Sequence, residues 1–169
     1  LTNIFGTYRY NVVSFTNHRV HPGEPSTFDD ISIQGVFCSK SGRGMGSHPA
    51  GGVPPHLSPF WIDAPAVVSS LTLRDYHRTE AAVPADDIHI EPGATVDNLT
   101  LADVTVANQC DGPINLLHNR GTIGNLALTQ VHAAAFGSGS KSGGHVILNT
   151  GTIRRCHHQG VSATGYQLG

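Results

Sequence analysis

Charge is scarce in this chain. Of its 169 residues, 13% are Asp, Glu, Lys or Arg, and the formal net charge is −2. A nucleic-acid surface needs a basic excess to displace counterions from phosphates, so that function class is excluded. No run of 18 apolar residues exists, so no transmembrane helix and no membrane partner are expected. Cysteine is sparse and odd in number: Cys38, Cys110 and Cys156 are widely scattered, without CxxC or CxxxxH spacing. That excludes a zinc site of the usual cysteine type, and the three thiols read as small fillers of the interior. No segment shows the i, i+3, i+4, i+7 stripe of a capped amphipathic helix, so little helix is expected. HExxH, GxSxG, P-loop and dinucleotide fingerprints are all missing. The string Gly42-Arg-Gly-Met-Gly46 is too short to replace them. No cofactor is expected.

What the chain does contain is a repeated apolar spacing of 3, 2 and 3 residues. Phe28, Ile31, Ile33 and Val36 make the first set, and Val68, Leu71, Leu73 and Tyr76 the second. Val96, Leu99, Leu101 and Val104 follow, then Ile123, Leu126, Leu128 and Val131. A fifth copy is worn: Ile153, Cys156 and Val161, with His158 where an aliphatic belongs. On the second position the copies step from 31 to 71, 99, 126 and 156, intervals of 40, 28, 27 and 30 residues. Repeats of this period are stacked supersecondary units, none able to bury its apolar face alone. Leu1 and Ile4 share the spacing of Leu73 and Tyr76, so the chain is expected to begin within a repeat and to be part of a longer polypeptide or assembly.

A second strand-like run precedes each copy: residues 11–17, 58–63, 87–91, 113–117 and 145–149. These runs alternate with period 2, the mark of a strand with one buried face. Short links such as Pro92-Gly93-Ala94-Thr95 and Asn119-Arg120-Gly121-Thr122 turn the corner between run and copy. The expected fold is all-β: a right-handed parallel β-helix solenoid of about five to six coils, one domain over residues 1–169, with a third short edge in each turn. Ile31, Leu71, Leu99, Leu126 and Cys156 should form one inward file, and Ser32, Thr72, Thr100, Ala127 and His157 the outward file beside it. A leucine-rich repeat competes, since Leu-x-Leu stands beside Asn98 and Asn125, but its convex segments would not alternate as these do.

The strings Ile90-Glu-Pro-Gly-Ala-Thr-Val-Asp-Asn-Leu-Thr-Leu101 and Gly121-Thr-Ile-Gly-Asn-Leu-Ala-Leu128 carry a family likeness. Over residues 28–164 the pattern resembles the pectin-lyase-like superfamily of right-handed β-helices. The resemblance implies a carbohydrate-active protein, a glycoside hydrolase, lyase, epimerase, esterase or tailspike, working outside the cell or on a bacterial or phage surface. Fold-level likeness is weak evidence for chemistry.

Long loops should stand along one rim: residues 39–57, with five Gly and three Pro, and shorter excursions over 77–86 and 132–144. Residues 18–26 insert at the opposite corner. Loops flanking a flat sheet make a groove, where ligands bind.

Candidate catalytic groups lie on the outward positions of the second set of strands. With Ile62 and Ile90 inward, Trp61, Asp63, His89 and Glu91 should point out. Asp63 and Glu91 hold equivalent places in neighbouring coils, with backbones about 4.8 Å apart. Two such carboxylates can serve as acid and base, or acid and nucleophile, in glycosidic cleavage. His89 joins them as a catalytic candidate. Trp61 offers a sugar-stacking face, and His118 extends the row. Arg74, His77, Arg78 and Lys40 gather on the long-loop side as a cationic rim for an anionic polysaccharide. No metal site is assigned, with Asp86, Asp87 and Asp111 a Ca²⁺ alternative.

Hydrolysis of a polysaccharide or oligosaccharide is the leading function, elimination the second. A noncatalytic β-helix segment, such as a tailspike or adhesin shaft packed against further segments or chains, is the alternative. A protein-binding solenoid ranks last, because no exposed apolar stripe is visible.

Overall fold

The computed structural model describes residues 1–8, 12–16, 24–41, 58–79, 86–108, 115–135 and 144–165. These residues are all-β and their strands form two parallel sheets. The first sheet holds β1 (Thr2–Tyr8), β3 (Thr27–Phe28), β4 (Ile31–Ser41), β6 (Val67–Arg78), β8 (Thr95–Asn108), β10 (Thr122–Ala135) and β12 (Thr152–Thr164). The second holds β2 (Val13–Phe15), β5 (Phe60–Ile62), β7 (Ile88–Ile90), β9 (Leu117–Asn119) and β11 (Ile147–Asn149). From β3 onward the chain alternates between the sheets, apart from the short step from β3 to β4, and within each sheet the strands stand in chain order.

The register matches the repeat residue for residue. Ile31 pairs with Leu71, Leu71 with Leu99, Leu99 with Leu126 and Leu126 with Cys156. Beside this file run Ser32, Thr72, Thr100, Ala127 and His157. Ile4 meets Val36, the partner of Tyr76, as its spacing requires. The core joins Ile33, Leu73, Leu101 and Leu128 to Phe60, Ile62, Ile88 and Ile90 of the other sheet. Each such side chain contributes roughly 1.5–3 kcal/mol by leaving water.

The second step of 3, from Ile33 to Val36 and its equivalents, has a backbone cause. Gly35, Asp75, Asp103, Gln130 and Gly160 share one register position, and all have positive φ, from 52° to 70°. A left-handed residue bends every long strand at the same point. Alternation resumes one residue out of phase, so the next inward side chain comes three positions on rather than two. Gly meets this demand without strain, and Asp tolerates it better than most residues.

Four expectations need correction. Cys156 stands in the inward file but is exposed, because β12 is the last strand of its sheet and no described strand covers its far side. Cys38 is buried as expected, and Cys110 lies outside the described residues. The run at 113–117 pairs later than expected: its strand is Leu117–Asn119, since Ile88 takes Leu117 as partner. The third edge is not a separate sheet among the described residues. The loops also begin later, since β4, β6 and β10 run on to Ser41, Arg78 and Ala135. Residues 42–57, 80–85, 136–143 and 17–23, the bodies of the expected excursions, lie outside the described residues.

Candidate active site on the second sheet

The short strands of the second sheet place one side chain each in a common row. Ser14 pairs with Trp61, Trp61 with His89, His89 with His118, and His118 with Leu148. His118 therefore continues the row, as expected. Three residues upstream runs a polar row, joined by backbone bonds from the Asp87 amide to Asn115 and from the Leu116 amide to His145. Its side chains include Asp86, Asn115 and His145.

Asp86 is the hub. Its Oδ2 lies 3.0 Å from His89 Nδ1 and 2.8 Å from His118 Nδ1. Its Oδ1 accepts a hydrogen bond from Asn115 Nδ2 at 2.6 Å. Asn115 Oδ1 in turn accepts from the His145 amide at 3.0 Å. Burial alone would raise the Asp86 carboxyl, but the bonds from His118, His89 and Asn115 outweigh it and hold the group well below the usual carboxylate range. The rings of His89 and His118 meet edge to face, their centroids 4.8 Å apart.

Glu91 stands at the other end of His89. Its Oε1 is 3.5 Å from His89 Nε2, and its Oε2 is 3.5 Å from Arg120. The Glu91 side chain is 15% exposed, so the site is sheltered yet open to solvent. The Glu91 amide donates to the Ile62 carbonyl, which sets Glu91 on the strand next to Asp63. Asp63 Oδ1 accepts from the Ala64 amide at 2.9 Å, inside a turn closed by the cis bond Ala64–Pro65.

The structure separates the other candidates. Arg78 is not on an open rim: at 2% exposure it donates to Asp87 through Nε (2.6 Å) and Nη2 (2.7 Å), and to the Ala107 carbonyl. Tyr76 also donates to Asp87. A guanidinium this deep needs its carboxylate, which is why both face inward. Asp87 accordingly does not join Asp86 around Ca²⁺, since consecutive residues of an extended chain point to opposite faces. Asp111 lies outside the described residues. Trp61 keeps its place in the row but is 5% exposed, with Ser14 and His89 on either side, so its ring is not an open stacking platform. Arg74 and His77 belong to β6 of the first sheet, away from the row. Arg74 sits 3.6 Å from Asp103, and His77 stacks on Phe37. Lys40 falls in β4, but its side chain lies outside the described residues.

Two contributors escaped sequence reasoning, Asn115 and Arg120, and so did the central place of Asp86. The signal was there: Asp86-x-x-His89 and Asn115-x-x-His118 are the same polar-x-x-His string 29 residues apart. Chemically the hydrogen-bonded cluster can share protons among His89, Asp86 and His118. It also gathers three ligand-type donors, on Asp86, His89 and His118, within 4.8 Å of one another. Comparison with protein-family models, with curated proteins and with solved structures finds no match to this chain.

Proposed function

We propose that this chain is a right-handed parallel β-helix that binds a polysaccharide or oligosaccharide across its second sheet and cleaves it by acid–base chemistry. Two parallel sheets visited alternately, with strands in chain order, support the coil. Parallel crossovers are right-handed in nearly all proteins, which supports the hand. The observation that carries the activity is Glu91, a sheltered carboxylate between Arg120 and His89 and one strand from Asp63.

In this reading Glu91, with Arg120 3.5 Å from its Oε2, serves as nucleophile or base. Asp63 is the acid that gives its proton to the departing glycosidic oxygen. Neighbouring strands put the two backbones about 4.8 Å apart, near the short carboxyl separation of retaining enzymes. His89 and His118 line the same row and position the sugar.

Glu91→Gln and Asp63→Asn should each abolish release of reducing ends from a panel of polysaccharides while leaving the fold intact. Full activity in both variants would overturn the assignment. Products that absorb in the ultraviolet, with an unsaturated end, would replace hydrolysis by elimination.

The noncatalytic alternative draws on β12, where Cys156 and His158 stand exposed at inward-file positions. A β-helix shaft would cover them with a further segment or a second copy. A stable monomer with polysaccharide-cleaving activity would remove that reading.

A further inference from the structure

We propose that Asp86, His89 and His118 bind a divalent transition-metal ion, with Zn²⁺ the best match to their donors. The inference does not depend on the carbohydrate reading, because the ion would bind whether or not a sugar is cleaved.

The geometry is close to what such an ion needs. Zinc bonds to nitrogen and oxygen of about 2.0–2.1 Å set neighbouring ligands in a tetrahedron roughly 3.3 Å apart. Asp86 Oδ2 already stands 3.0 and 2.8 Å from the two Nδ1 atoms. The donors of all three residues lie within 4.8 Å of one another, so side-chain adjustment at the two Asp86 contacts and across the histidine pair admits the ion. Two imidazoles and one carboxylate form the three-ligand set of zinc sites that keep a position open. Hard ions such as Ca²⁺ prefer all-oxygen shells, so the imidazoles argue for a softer metal.

The stronger argument concerns His89. Its side chain is 10% exposed, and its buried Nε2 has no hydrogen-bond partner. If neutral His89 uses its proton on Nδ1 toward Asp86, the lone pair on Nε2 faces the Glu91 carboxylate 3.5 Å away, acceptor against acceptor. A metal reverses this polarity. Nδ1 then gives its lone pair to the ion, the proton moves to Nε2, and Nε2–H points at Glu91. A ligating histidine whose second nitrogen donates to a carboxylate is the usual arrangement around zinc. Asn115 completes it by holding Asp86 Oδ1 at 2.6 Å, which leaves Oδ2 for the ion. His118, the most exposed of the three at 19%, marks the open side.

The test is titration of the chelator-treated full chain with Zn²⁺ by calorimetry, and with Co²⁺ by its visible absorption. The expected result is one equivalent per chain, with the intense visible bands of four-coordinate Co²⁺. His118→Asn and Asp86→Asn should each weaken binding about 100-fold or more, and Glu91→Gln about 10-fold at unchanged stoichiometry. His132→Ala and the pair His157→Ala, His158→Ala should bind like the parent. Circular dichroism and urea midpoints confirm that each variant folds. If a ligand variant fails to fold, histidine modification by diethylpyrocarbonate, with the sites mapped by mass spectrometry, replaces it: Zn²⁺ should protect His89 and His118. No stoichiometric binding, or binding that survives His118→Asn but is lost with His157 and His158, overturns the proposal. A metal site without cleavage, or cleavage by metal-free protein, tells the two readings apart.

Discussion

Replacing Asp87 by alanine removes two hydrogen bonds from a guanidinium that is 2% exposed, and a third from the Tyr76 hydroxyl. Breaking a buried ion pair from one side costs about 3–5 kcal/mol, because the remaining charge stays in a medium that solvates it poorly. The Tyr76 bond, which ends on a charged acceptor, adds roughly 1.5–3 kcal/mol, part of it already counted in the pair. A total near 4 kcal/mol follows. With a urea dependence of about 2 kcal/mol per molar, the unfolding midpoint should fall by roughly 2 M. The double variant Arg78→Met with Asp87→Leu replaces both charges by apolar groups of similar size and should regain most of that loss. Chemical denaturation followed by circular dichroism measures all three proteins. A shift under about 1 kcal/mol for Asp87→Ala would refute the claim that this pair is a buried structural lock. The same result would return Arg78 to the list of ligand-binding groups.

Leu99→Ala, in the middle of the inward file, should cost about 2–5 kcal/mol, whereas Thr100→Ala in the outward file should stay within about 0.5 kcal/mol, as urea melts would show. Gly121→Ala should destabilise strongly, because a Cβ there would collide with the Ala94 carbonyl oxygen; thermal melts comparing it with Gly93→Ala, whose added carbon meets Ala64 Cβ at 3.3 Å but sits at positive φ, separate close approach from backbone strain. Gln130→Gly should be neutral or stabilising by up to about 1 kcal/mol, since φ is 52° there, while Gln130→Val should be destabilising; calorimetric melting of both checks the left-handed bend. The Asp86 carboxyl titrates lower in the folded chain than its ordinary value of 3.8, so the stability it contributes is complete above that pH and lost as pH falls through the folded value; Asp86→Asn should flatten the acid limb of stability against pH, and an unchanged limb would contradict the hydrogen-bonded hub.

The long strands were legible because their apolar positions recur with a fixed offset, and that offset survives in the register of Leu71, Leu99 and Leu126. The bend that produces the offset was not legible. It is made by Gly, Asp and Gln in turn, and no residue type marks it in every copy. The shared row of His89 and His118 was legible, since alternation over three residues sets which positions fall together. Direction does not decide exposure. Trp61 shares that row and is enclosed, while Arg78 and Asp87 turn inward together, as a pair the alternation rule treats as two unrelated polar residues. Asp86 was visible as an acid and invisible as a hub, because its three partners come from positions 3, 29 and 32 residues away.

Strands that stand in chain order have one further consequence. Among the described strands β8 and β10 each pair only with the strand on either side in their sheet, and β6 adds the short β3, so a load applied at β12 meets one zipper at a time. Pulled from that side, the chain should yield in a train of similar small releases, each freeing a length near 27–30 residues, rather than in a single rupture. Toughness in such a build comes from its count of rungs, and damage to one rung leaves those below it standing.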